Sequence, residues 1–215
     1  MKTVIAIDGP AASGKSTVAR RVAADLGYGW VNSGGFYRAL TWWLLRCAGS
    51  ACTPEEAAAV VARTTFTSVF RGFEATLSLD GNDAWPHLRE PEVNSHVSPF
   101  SQFDSVRDRL NGEFRRLAGE RPCVVEGRDI GSCVFPETPY KFFIDASPEI
   151  RRLRRQAEDH SDEIATRDRL DSGRARAPLV AAPGALVIDT SHLSIEEVLG
   201  RIREALPPEV LAPPR

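Results

Sequence analysis

The stretch Gly9-Pro10-Ala11-Ala12-Ser13-Gly14-Lys15-Ser16 matches G-x-x-x-x-G-K-[ST] without a gap, and its flanks decide how it is read. Before it, Thr3 to Ile7 is a short continuous apolar run that ends in Asp8, the pattern of a strand buried on both faces of a parallel sheet. After it, Val18, Val22 and Leu26 recur at i, i+4 and i+8 with Ala19 and Ala23 beside them, which predicts a helix with one buried stripe. Strand, glycine-rich turn and helix in that order make a phosphate cradle: backbone N–H groups converge on the anion and the positive end of the helix faces it. Gly9, Pro10, Ala11, Ala12, Ser13, Gly14 and Thr17 are therefore expected to wrap the phosphates of a nucleoside triphosphate. Lys15 is expected to reach the β- and γ-phosphates and the Ser16 hydroxyl to help hold Mg²⁺. A glycine-rich turn with a chance lysine would not need the strand and helix on either side.

Working outward, a short strand around Trp30-Val31, a helix from Phe36 to Cys47 and another after Thr53-Pro54 continue an alternation of strand and helix. The pattern then changes. Thr64 to Phe70 and Glu74 to Leu79 are β-branched and alternating, separated by Arg71-Gly72-Phe73 and closed by Asp80-Gly81-Asn82, which predicts a small antiparallel insertion. Helical spacing returns from Glu92 to about Leu117, and the apolar runs Cys123 to Val125 and Lys141 to Ile144 supply two further core strands. The arginine-dense segment Glu149 to Arg176 reads as exposed or mobile helix. A strand Leu186 to Ile188 and a helix capped by Ser194-x-x-Glu197 close the core, with Ile195, Val198, Leu199, Ile202 and Leu206 as the buried stripe.

The 215 residues are 42% hydrophobic and 26% charged, which fits one globular domain carrying an insertion. The 27 Lys+Arg and 29 Asp+Glu nearly balance, and the basic residues are scattered, so a nucleic-acid-binding face is not expected and any anion site is local. Lysine occurs only at Lys2, Lys15 and Lys141, so arginine supplies the remaining positive charge as planar forks suited to phosphate. The four cysteines lack C-x-x-C or zinc spacing and read as buried free thiols. No run approaches the ~18 apolar residues of a membrane span, and a cytoplasmic location is expected. None of the three lysines follows asparagine, so the N-K-x-D guanine motif is absent, and the length leaves no room for the second half of a motor or helicase. A small kinase becomes the leading reading.

Beyond the phosphate loop, four segments together resemble cytidylate (CMP) kinases of the bacterial type, members of the P-loop nucleoside monophosphate kinases. They are Asn32-Ser33-Gly34 with Tyr37-Arg38; Glu92-Val93 through Ser98 to Val106-Arg107; Glu126-Gly127-Arg128-Asp129-Ile130-Gly131; and Arg167-Asp168 through Asp171 and Arg174 to Ala177-Pro178-Leu179. The resemblance runs along nearly the whole chain. It implies an α/β fold, a three-layer P-loop core with a five-stranded parallel sheet, over 1–62 and 118–215. It also implies a nucleoside-monophosphate-binding insertion over 63–117, with a small antiparallel sheet and helices, and a short lid over about 151–170.

By the same resemblance, Arg38 and Arg128 hold the acceptor phosphate, with Ser33 and Gly127 beside it. Ser98, Arg107 and Asp129 face cytosine, whose N4 amine, N3 and O2 call for an acceptor opposite a cationic fork. Asp171 and Arg174 lie along the sugar. Arg154, Arg155 and Arg167 are implied to act over the transferring group with Lys15 and Arg128. The implied reaction takes the γ-phosphoryl of MgATP to CMP or dCMP, in a monomer with no nucleic-acid or membrane partner. Three departures stand out: Asn32 where the family usually has aspartate, Glu126 where it often has aspartate, and a short stretch from Arg155 to Arg167. The role of Glu126, metal-water ligand or structural acid, stays open. The rival readings are a hydroxyl-directed kinase with Asp129 or Asp8 as base, and a module that binds ATP without phosphoryl transfer.

Overall fold

The computed structural model describes residues 2–157 and 179–211. Its first half runs β1 (Val4–Asp8), α1 (Lys15–Leu26), β2 (Gly29–Asn32), α2 (Ser33–Ala48), α3 (Pro54–Arg63), β3 (Phe66–Arg71), β4 (Glu74–Leu79) and β5 (Asn82–Asp83). A 3₁₀ turn (Trp85–His87), α4 (Pro91–Phe100), α5 (Asp104–Glu120), β6 (Cys123–Gly127) and a π-helical turn (Ile130–Val134) follow. β7 (Tyr140–Asp145), α6 (Pro148–Ala157), β8 (Leu186–Asp189), α7 (Ile195–Ala205) and the short α8 (Pro208–Leu211) complete it.

Strands β2-β6-β1-β7-β8 lie parallel in that order and form the expected five-stranded core. Every residue of β1 and β6 is buried, because helices cover both faces. On β1 the alternation of a strand sorts the side chains: Ile5 and Ile7 pack with Val18, Val22 and Ile202 of α1 and α7, while Val4 and Ala6 pack with Phe36, Leu40 and Phe114 of α2 and α5. In register, Asp8 pairs with Gly127 and Asn32 with Glu126, so β1, β2 and β6 end at one edge of the sheet. In open parallel sheets the crevice beyond those carboxyl ends is where ligands bind.

The structure departs from the sequence reading in five places. The β3–β4 hairpin is not a separate sheet: Trp30 of β2 pairs in parallel with Glu74 of β4, so the hairpin and β5 extend the core to eight strands among the described residues. Arg20 locks that junction, donating to the Glu74 carboxylate at 2.6 and 2.8 Å with its guanidinium near the Trp30 and Phe73 rings. The helical stretch after Glu92 is two helices, because Pro99 lies in the last turn of α4 and the chain folds tightly through Ser101, whose hydroxyl donates to the Ser98 carbonyl at 2.9 Å. α2 begins at Ser33 rather than Phe36, since the Asn32 side chain accepts the Gly35 N–H and caps it.

Ile195 is the fourth departure. It stands on the outer face of α7, 48% exposed, although the capping box of Ser194 and Glu197 and the burial of Val198, Leu199 and Ile202 are as read. Fifth, Cys47 is exposed and Cys133 half-buried; only Cys52 and Cys123 are buried, and all four are free thiols. Among the described residues no helix is long and apolar enough to cross a membrane.

Candidate active site

The phosphate loop is held closely against the sheet. A Cβ on Gly9 would meet the Ile144 carbonyl oxygen at 2.1 Å, so only glycine lets the chain leave β1 there. Ala12 and Gly14 take positive φ, 58° and 90°, and curl the backbone into the start of α1. Lys15, buried to 7% exposure, donates from Nζ to the Pro10 carbonyl at 3.0 Å and so spans its own loop.

Carbonyls of the same loop are taken up by α6. Arg154 donates to Ser13 O at 3.2 Å and to Thr190 Oγ1 and O at 3.0 and 2.8 Å, and the Thr190 hydroxyl also donates to Ser13 O. Arg151, expected to be exposed with the rest of its segment, is buried and donates to Ala11 O and Ala146 O.

Beside the loop, the Ser16 hydroxyl donates to Glu126 Oε2 at 2.7 Å, while Glu126 Oε1 is buried with no hydrogen-bond partner. Burial pushes the Glu126 carboxyl above the usual range, opposed by Lys15, the Ser16 hydroxyl and Arg128. A hydroxyl, an unsatisfied carboxylate oxygen and a phosphate loop are hard oxygen donors of the kind that share Mg²⁺ with a nucleotide, so the residues fit that ion.

Asp8 closes the end of β1 onto the next loop. Its two carboxylate oxygens accept the N–H groups of Ile130 and Gly131, each at 2.8 Å, and fix the turn that follows Arg128-Asp129. Burial pushes Asp8 up to about 6 despite those bonds.

The opposite wall is made of side chains from distant elements. Arg38 of α2 donates from one Nη to the Leu88 carbonyl at 3.0 Å and to Asn94 Oδ1 at 2.5 Å. Arg107 of α5, 2% exposed, forms a buried ion pair with Asp129, donates to the Ser101 carbonyl at 3.4 Å and stands 5.9 Å from the Tyr37 ring centre. β6 and α2 pack so tightly that a Cβ on Gly127 would lie 2.6 Å from Ser33 Oγ.

One cleft of about 450 Å³ joins the two walls. Ala11, Ala12, Gly14, Lys15, Ser16 and Thr17 line one side, Ser33, Arg38, Ser98, Gly127, Arg128 and Asp129 the other, and Arg155 reaches it from α6. Gly9, Pro10 and Ser13 support the loop without lining the cleft; Arg107 lies behind Asp129, and Arg154 is at the loop carbonyls. Arg167, Asp171 and Arg174 lie outside the described residues. Sequence reasoning gave no role to Tyr37, Leu88, Arg89, Asn94, Val97 and Ser101, which also line the cleft. Tyr37, Asn94 and Val97 lie inside segments that carry the family resemblance, but nothing in the sequence singles them out there, and Leu88 and Arg89 lie outside those segments.

The model of the family described as cytidylate kinase matches residues 5–207. Two similar proteins carry the name cytidylate kinase: one from Geobacillus kaustophilus, 41% identical over 212 residues, covering 93% of this chain and 94% of that one; and one from Streptomyces griseus, 40% identical over 205 residues, covering 91% and 89%.

Proposed function

The chain belongs to the cytidylate kinase family, and from that premise we propose that it transfers the γ-phosphoryl group of ATP to the phosphate of CMP, releasing ADP and CDP, with dCMP as a second acceptor. The observation that carries the reading is the cleft in which the phosphate loop faces Arg38, Arg128 and Asp129, with Arg107 paired to Asp129 from behind. The domain division at 63–117, with a lid from 151 to about 170, belongs to the same proposal. So does a cytoplasmic monomer whose partners are nucleotides rather than nucleic acid or membrane.

Each residue then has a chemical task. The loop N–H groups and Lys15 bind the β- and γ-phosphates and offset the charge that builds as the bond to the leaving oxygen lengthens. Ser16 and Glu126 would hold Mg²⁺, which when bound with ATP supplies further neutralisation of the phosphate oxygens. Arg38 and Arg128 grip an acceptor phosphate that carries close to two negative charges at neutral pH. Its attacking oxygen is already anionic, so no general base is needed.

Asp129 accepts from the cytosine amine, and Arg107 and Ser98 answer its ring acceptors. Arg155 supplies cationic charge at the cleft, with Arg167 as its companion and Asp171 and Arg174 on the sugar, whereas Arg154, expected over the transferring group, braces the loop through the Ser13 carbonyl instead. A hydroxyl-directed kinase would need Asp8 or Asp129 as base; Asp8 accepts two backbone N–H groups and does not line the cleft, and Asp129 is ion-paired with Arg107.

The test is coupled ADP release from MgATP with CMP, dCMP, UMP, AMP and GMP, each against a blank without acceptor. Strong stimulation by CMP and dCMP alone is expected. Stimulation by none, with ATP still bound, overturns the proposal.

A further inference from the structure

Asn94 is a cleft residue with no sequence motif, and its side chain is used at both ends. Oδ1 accepts from the Arg38 guanidinium at 2.5 Å, and Nδ2 donates to the Arg89 carbonyl at 3.1 Å. The two partners fix the amide's orientation, because a flip would set its NH₂ against a guanidinium and its oxygen against a carbonyl. The Leu88 carbonyl, one residue from Arg89, accepts from the same Arg38 nitrogen. Asn94 is itself fixed at the start of α4, where its N–H donates to the Glu90 carbonyl at 2.9 Å. The amide therefore joins three elements at the acceptor wall: α2, the loop before α4, and α4.

We propose that Asn94 is a positioning residue that aims the Arg38 guanidinium at the acceptor phosphate without neutralising it. The inference rests on the reading that Arg38 binds that phosphate. A free arginine side chain gives up rotamer entropy when it is held. Fixing it before the ligand arrives removes that cost from binding. Both anchors of this nitrogen are uncharged oxygens, a side-chain amide and a backbone carbonyl. A carboxylate in the place of the amide would form a charged pair with Arg38 and compete with the phosphate for it.

The experiment measures kcat and the KM values for CMP and ATP, with melting temperature, in Asn94→Ala, Asn94→Asp, Arg38→Met and Arg38→Met/Asn94→Ala. Asn94→Ala is expected to raise the CMP KM about tenfold, with the ATP KM moving less than about twofold and kcat changing less than the CMP KM. Asn94→Asp, nearly identical in shape, is expected to raise the CMP KM at least as far as alanine does. In the Arg38→Met background, Asn94→Ala is expected to add nothing. The inference is overturned if Asn94→Asp keeps the parental CMP KM, if the double variant sums the two single effects, or if the ATP KM and melting temperature shift together with the CMP KM. If Arg38→Met leaves the CMP KM unchanged, the phosphate role of Arg38 fails, and the inference falls with it.

Discussion

The two walls of the cleft are built by different means. The phosphate-loop wall runs through residues 9–17 in unbroken sequence, and its shape is set by the backbone, which needs glycine at Gly9 and left-handed turns at Ala12 and Gly14. The opposite wall draws Arg38, Ser98 and Asp129 from α2, α4 and the loop after β6, and the Arg38 and Asp129 side chains are each held by a partner from another element, Asn94 of α4 and Arg107 of α5. A backbone-built site tolerates changes of side chain between its fixed points, and Pro10, Ala11 and Ala12 need only adopt the right turn. A side-chain-built site has no such slack, but it can discriminate among bases, because every donor and acceptor facing the ligand is chosen individually.

The sharpest way to break that contrast is at its one indispensable side chain on the ATP wall. Lys15→Ala is expected to lower kcat by about 10⁴-fold, or about 5 kcal/mol of transition-state stabilisation, with the fold retained by circular dichroism and melting. A fall of less than about tenfold would mean that the loop's N–H groups carry the charge without the lysine.

On the acceptor wall the largest effect is expected at Arg107. Arg107→Met removes the buried ion-pair partner of the Asp129 carboxylate and should destabilise the fold by about 3–5 kcal/mol in denaturant titration. Arg107→Met with Asp129→Asn should recover much of that loss. In the double variant the preference for CMP over UMP should collapse while the ATP KM holds. An unchanged preference would remove the pair from base recognition.

The smallest of the three lies where the walls meet. Asp8 titrates near 6 when folded, against 3.8 in an ordinary carboxyl group. Between those values the folded protein keeps a proton that the unfolded chain has released. The stabilisation is therefore full below about pH 4 and lost as pH rises through about 6, up to about 3 kcal/mol. Asp8→Asn does not titrate, so the stability of the parent relative to this variant should fall across that window in parallel urea titrations. A parent that gains on the variant with rising pH would show that the two N–H bonds to Ile130 and Gly131 outweigh burial.

Legibility in the sequence follows the same division. The strand, loop and helix around Gly9 to Ser16 could be read because an apolar run, a glycine turn and a 3.6-residue stripe are all local patterns. Ser194 and Glu197 were readable as a cap for the same reason. Ile195 was misassigned because helical spacing marks a broad stripe but not where the covering neighbour ends. The joining of the β3–β4 hairpin to β2 gave no local signal, since the Trp30 and Glu74 pairing depends on two strands 44 residues apart.

At the site, the segments that carry Arg38, Arg107, Arg128 and Asp129 resemble a family and so mark these residues together, whereas nothing in the sequence marks Asn94 as part of the wall. A single asparagine on a helix has no pattern of its own. Its value comes from standing 2.5 Å from an arginine 56 positions away.

The sequence by itself determined the α/β fold class, the phosphate cradle and the nucleotide kinase family, because each is encoded in contiguous spacing or in motifs whose order is preserved along the chain. Only the tertiary structure decided which arginines face the cleft, which brace the loop, and which asparagine and carboxylates hold them. The direction and electrostatic role of a long charged side chain are set by partners distant in the chain, and no local propensity specifies those partners.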